Sequence, residues 1–159
     1  MLIDAIRGWQ LSQLEKNISI YKNTIQRLSE ETIKGYRDGG SGWTVLEVMC
    51  HLRDFEELFL ERAKMTVFED NPALPFPDPD ALADELNYND DNPAMVLSHW
   101  TALRKEHLAF LEERDGEDWE RPAVHPTRGK FTLHDQLFLT VWHDSNHLEQ
   151  IMRILSEKQ

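Results

Sequence analysis

Trp142-His143-Asp144-Ser145-Asn146-His147-Leu148-Glu149-Gln150-Ile151, close to the C-terminal end, carries more structural information than any other stretch of the chain. Around it Leu137, Thr140, His143, His147, Ile151 and Ile154 recur at three- and four-residue steps, which predicts a helix with one apolar face. His143 and His147 both fall on that face. Residues four apart on a helix have Cβ atoms about 5 to 6 Å apart, so two imidazoles can converge on one ion while pointing toward other helices. A lone inward histidine is ordinarily a hydrogen-bonded core residue. A metal site therefore requires a third partner from elsewhere in the chain.

Thr44-Val45-Leu46-Glu47 has the form of a capping box, in which hydroxyl and carboxylate satisfy orphan backbone N–H groups at a helix start. The helix beginning there has the stripe Val48, His51, Leu52, Phe55, Leu58 or Phe59, and Arg62, which places His51 inward among large apolar neighbours. His51, His143 and His147 form the candidate metal-ligand triad. Three neutral imidazoles leave a dication's charge unneutralised and a position free for water or substrate, the catalytic rather than the closed structural type. Zinc, nickel and ferrous iron all accept such ligands. His107, on the apolar side of another helix, is a substitute ligand. His125 and His134, on a loop and a helix start, are expected to face solvent, although His125 can also approach the bundle mouth.

Gln150, three residues after His147, reaches either a bound water or substrate, or an interhelical hydrogen bond. Asp144 and Glu47 are candidates to hold a ligand's second ring nitrogen, as metal-bound histidines require; solvent exposure and capping are their competing roles. The residues between His143 and His147 are Asp144, Ser145 and Asn146, so the HExxH pattern of zinc proteases is absent and proteolysis is not supported. Cys50 lies about 100° around the helix from His51 and reads as a small packed residue.

Elsewhere, Leu11, Leu14, Ile18, Tyr21, Ile25 and Leu28 predict a first long helix, ended by Gly35 and the run Asp38-Gly39-Gly40-Ser41-Gly42. That run lacks the lysine and hydroxyl residue of a phosphate-binding loop, and reads as a plain connector. From Asp70 to Pro79 repeated prolines exclude a helix, with a short one expected over Ala81 to Leu86. The connection to the third helix is thus about 20 residues, beyond the 2 to 8 of a helix hairpin. It can cross the length of a bundle, permitting parallel neighbours, or lie as a lid over a site. Asn92-Pro93 caps the third helix, which carries Val96, Trp100, Leu103, His107, Phe110 and Leu111 and stops near Asp115-Gly116. Thr132 to Asp135 resembles a cap for the last helix, expected to run almost to Gln159. No segment has a clear period of two, so the expectation is an all-α protein of four helices and no sheet.

Length and composition agree. At 159 residues the chain is expected to form one domain, residues 1–159, that buries roughly two-thirds of its unfolded surface. A net charge of −12 repels a phosphate backbone and offers no basic patch to anionic lipid, so neither nucleic acid nor membrane is an expected partner. Trp9, Trp43, Trp100, Trp119 and Trp142 are spread over the chain as packing anchors. One cysteine, no apolar run near the roughly 20 residues of a membrane span and no signal-peptide pattern together suggest the cytoplasm.

Two segments resemble a known family. Gly42-Trp43-Thr44-Val45-Leu46-Glu47-Val48-Met49-Cys50-His51-Leu52-Arg53-Asp54 is similar to the tryptophan-led second-helix motif of the DinB-like (YfiT-like) superfamily, and His143 to Ile151 is similar to its final-helix motif. The resemblance implies a four-helix bundle with up-down-down-up connectivity, which a long Pro-rich crossover suits. It also implies a divalent metal on His51, His143 and His147, a small-molecule substrate, and frequently a homodimer. Relatives include transferases that use a low-molecular-weight thiol such as bacillithiol or mycothiol. Metal-dependent hydrolysis and a non-catalytic metal-binding or dimerising module are the alternatives. Arg53, Arg128 and Lys130 are candidates to receive a thiol cofactor's carboxylates, with surface solvation the competing role.

Overall fold

A computed structural model describes residues 2–157 of the chain. Four long helices form the body: α1 (Leu2–Ile25), α3 (Val45–Phe68), α5 (Pro93–Glu112) and α7 (Leu133–Ser156). Short helices lie between them: α2 (Glu30–Gly35), α4 (Pro79–Glu85) and α6 (Gly116–Glu120). The long helices start where the sequence caps them. Thr44 and Glu47 make the capping box of α3, Asn92 caps α5 through Ala94 and Met95 N–H, and Thr132 and Asp135 make a second box on α7. The first helix is shorter than expected, because Ser29 accepts from Thr32 N–H and starts α2 afresh. The last helix ends at Ser156, and the expected continuation toward Gln159 falls on residues 158–159, outside the described residues.

Side-chain pairings fix the helix directions. Arg7 meets His134 and Asn17 meets Asp144, so α1 and α7 run parallel. Glu56 meets Arg104, Lys64 meets Glu106 and Phe68 meets Phe110, so α3 and α5 also run parallel. Between the two pairs the sense reverses: His51 opposes His143 while Thr66 opposes Gln136, and Tyr21 opposes Trp100 while Leu14 opposes Arg104. This is the up-down-down-up bundle, with the crossover from Glu69 to Asn92 joining the two parallel members.

The expectation of no sheet is corrected by a small hairpin. Strands β1 (Pro122–His125) and β2 (Gly129–Thr132) pair antiparallel, with Pro122 opposite Thr132 and His125 opposite Gly129. Gly129 takes a positive φ of 73° at the turn. The crossover is tied to this hairpin, since Leu74 N–H donates to Val124 O and Val124 N–H to Pro72 O.

Two apolar blocks make the core of the bundle, and a smaller third one, Leu74, Ala123 and Phe131, lies where the crossover meets the hairpin. Of the two in the bundle, one gathers Tyr21, Met49, Leu52, Trp100 and Ile151; the other gathers Leu14, Ala63, Leu111, Trp119 and Leu137. At the level between them, Arg104 is fully buried and donates to both Glu56 and Asp144, and Asn17 also donates to Asp144. His107 joins through Glu56 at 2.7 Å. A buried cation is tolerated where carboxylates neutralise it, and this network links all four long helices. Of the tryptophans, Trp100 and Trp119 are core anchors, whereas Trp9 and Trp142 are exposed.

Candidate metal centre

His51 from α3 and His143 and His147 from α7 meet. Their ring centroids are 4.9, 4.6 and 4.5 Å apart, and one nitrogen from each ring lies within 4.8 Å of the others. The closest approach is His51 Nε2 to His143 Nε2, 2.8 Å. The four-residue step on α7 brings two rings to one level, and the antiparallel packing of α3 brings the third across. His51 is buried, while His143 and His147 are half-buried, so the cluster is closed on the α3 side and reachable from the other. Aromatic rings wall it: Phe55 is 4.1 Å from His51, Phe59 is 5.1 Å from His143, and Trp43 is 5.0 Å from His51. No carboxylate or thiolate joins the three imidazoles among the described residues.

Burial, reinforced by the neighbouring His147, lowers His51 to about 3. Burial also holds His143 well below the ordinary imidazole range, and His147 below it. The rings are therefore neutral near pH 7 and have lone pairs to offer. Which nitrogen carries the lone pair is set at His147. Gln150 Nε2 donates to Asp38 Oδ2 at 3.0 Å, which turns Gln150 Oε1 toward His147 Nδ1 at 2.8 Å. Nδ1 then holds the proton and Nε2 is free. Asp38 is fixed in turn by Arg153, and Gly42 permits its turn, because a Cβ at Gly42 would meet Asp38 O at 2.7 Å. His51 Nδ1, by contrast, is buried without a partner. A set of neutral imidazoles, one with its tautomer fixed for coordination, fits a borderline divalent ion.

A family model described as the DinB superfamily matches residues 13–151. The chain belongs to that superfamily. A provisionally named metal-dependent hydrolase of Oceanobacillus iheyensis is 30% identical over 155 residues, spanning 96% of this chain and 87% of the relative. YfiT of Bacillus subtilis, named in the same provisional way, is 31% identical over 120 residues, 75% of this chain and 66% of YfiT. The solved structure of YfiT, described as having an unusual four-helix bundle topology, superposes with a TM-score of 0.86 at 26% identity, covering 94% of this chain and 86% of YfiT. A mycothiol-dependent maleylpyruvate isomerase shares the fold, with a TM-score of 0.72 at 14% identity over 93% of this chain and 67% of the isomerase.

The other residues singled out in the sequence of this DinB-superfamily protein fall partly in the expected roles and partly elsewhere. Asp144 is neither exposed nor a partner of a ligand ring: it is buried against Arg104 and Asn17. Glu47 is occupied by capping and by Arg37. The partner of the second nitrogen of His147 is Gln150, with Asp38 behind it, so the glycine run brings a carboxylate to the back of the centre and is more than a connector. His107 faces Glu56, not the centre. His125, expected in solvent, is buried between Phe76 and Phe131; His134 is half-buried against Trp119. Arg53 is engaged by Asp54 and Asp91, and Lys130 is exposed. Cys50 is packed, and burial pushes its thiol up to about 12, which removes it as a nucleophile.

Proposed function

We propose that the protein is a metal-dependent enzyme in which His51, His143 and His147 hold a divalent ion, zinc, nickel or iron, and a low-molecular-weight thiol is transferred to an electrophilic small molecule. The observation that carries this reading is the convergence of three neutral imidazoles with no carboxylate among them. When bound there, an ion keeps its full positive charge and lowers the pKa of a thiol or water at its open position. The residues of the chain do the rest. Gln150 holds the proton of His147 on Nδ1, keeping Nε2 available. Trp43, Phe55 and Phe59 exclude water from the α3 side and strengthen the local field. The half-buried side at His143 and His147 admits the reactants. In the transfer, a C–S bond forms to the electrophile, the thiol proton passes to solvent and the leaving group departs. A reducing, cytoplasmic setting suits both this thiol and the single Cys50.

Metal-assisted hydrolysis is the second reading, favoured by the provisional names of the relatives from Oceanobacillus iheyensis and Bacillus subtilis and served by the same ion acting on water. Turnover of monobromobimane with bacillithiol, and in parallel with mycothiol, separates the two readings. Catalysis above the spontaneous rate, lost on chelation, is expected. Metal-dependent ester cleavage with no thiol-dependent turnover would replace the transferase with the hydrolase.

A further inference from the structure

Beside the histidine centre lies a buried cation to which no described carboxylate is paired. Arg62, on α3 one turn beyond Phe59, is 2% exposed. Its Nε and Nη2 both donate to the single carbonyl of Pro75 in the crossover, and no described carboxylate comes within ion-pair distance of it. Arg104, equally buried, has two such carboxylates. Burial and the nearby charge of Arg128 together push Arg62 down to about 10, with Glu61 opposing only weakly. Its guanidinium carbon lies 5.7 Å from the ring centroids of both Phe59 and Phe76.

The hairpin supplies the remaining donors. His125 is 1% exposed, and its ring is 5.2 Å from Phe76, the same ring that covers Arg62. Thr127 N–H points at His125 Nδ1 from 3.2 Å, so Nδ1 accepts and the neutral ring carries its proton on Nε2. Arg128 Nη1 lies 3.3 Å from that Nε2. Donor therefore faces donor. Arg62 and His125 are buried and Arg128 reaches them from the exposed side, so an oxyanion between them supplies the buried cation with a counter-charge and the facing donors with an acceptor. Arginine forks match the oxygens of carboxylate and phosphate alike. In a protein of net charge −12, such a recess is also what an anionic ligand needs in order to bind.

We infer that Arg62, Arg128 and His125 form an oxyanion-binding site, which takes the carboxylate or phosphate of a small molecule. Arg128 borders a recess of about 380 Å³ walled by Phe131, Phe138, Leu139 and Trp142, which gives a ligand its approach. Asp135, also on that recess, is committed to capping α7. Phe59 bridges the two sites, 5.1 Å from His143 and 5.7 Å from the Arg62 guanidinium. Resting on the proposed function, this makes the substrate an anion, anchored at Arg62 with its reactive end toward the histidines.

Calorimetric titration of the metal-loaded protein with succinate, and separately with inorganic phosphate at matched ionic strength, tests the site. Saturable binding is expected, and the tighter of the two identifies carboxylate or phosphate as the natural group. Arg128→Gln, a surface change, should weaken that anion roughly tenfold or more while metal content and the anion-free melting temperature stay constant. Arg62→Met should abolish binding. Failure of both anions to saturate the wild type, or undiminished affinity in Arg128→Gln, overturns the inference. Metal retention without anion binding would remove this site alone. Anion binding by a protein that takes up no metal would keep it and remove the proposed function.

Discussion

Gln150 is the residue on which the chemistry of His147 turns. Its amide is oriented by Asp38, so truncating it frees the imidazole to adopt the wrong tautomer. Gln150→Ala should bind metal about 10- to 100-fold more weakly, as loss of such a partner does elsewhere, measured by competition with a chromophoric chelator; unchanged affinity would mean Gln150 serves packing only. Acid should act on the same cluster. Because His51 is lowered to about 3 in the folded protein, against about 6.5 when unfolded, the unfolded chain binds more protons between those values. Stability from keeping the ring neutral is therefore present above about pH 6.5 and lost as pH falls toward 3. The melting temperature of metal-free protein should drop between pH 7 and pH 5, and His51→Phe should flatten that drop. The triad was legible because helical spacing alone aims His51, His143 and His147 inward. Asp38 was not, since its partner Gln150 is distant in sequence and nothing local to a glycine run announces the contact. Asp144 was misjudged because α7 packs against α1 as well as α3, so its buried face is wider than the single stripe the spacing suggested.

Among the elements, the buried Arg104 network holds the four long helices in register. Arg104→Met leaves Glu56 and Asp144 buried without their counter-charge, and should cost about 3–5 kcal/mol of stability, read from chemical denaturation; a change below 1 kcal/mol would show that water reaches the pair. Helix starts were legible because Thr44, Asn92 and Thr132 announce themselves chemically. The hairpin was not, because four-residue strands, the first opening on Pro122 and followed by Pro126, are too short for a period of two to stand out. Helix direction lay between these cases: the long crossover allowed parallel neighbours, and only the resemblance to a family selected them before pairings such as Asn17 with Asp144 were seen.

For the whole molecule, no helix among the described residues is long and apolar enough to cross a membrane. Phe138 and Trp142, one turn apart on α7, are 63% and 49% exposed. They wall the recess beside Arg128, so we propose that the homodimer expected from the family resemblance forms on a face that leaves them open. Light scattering should give about twice the monomer mass of 18.7 kDa; a monomeric wild type would remove the dimer.

Elemental analysis of protein purified without added metal bears most directly on the three converging histidines. The wild type should carry close to one divalent ion per chain, and His147→Ala should carry none while its helical circular dichroism is unchanged. Full metal content in His147→Ala, or a wild type that neither retains nor takes up an ion, would contradict a metal centre at this site.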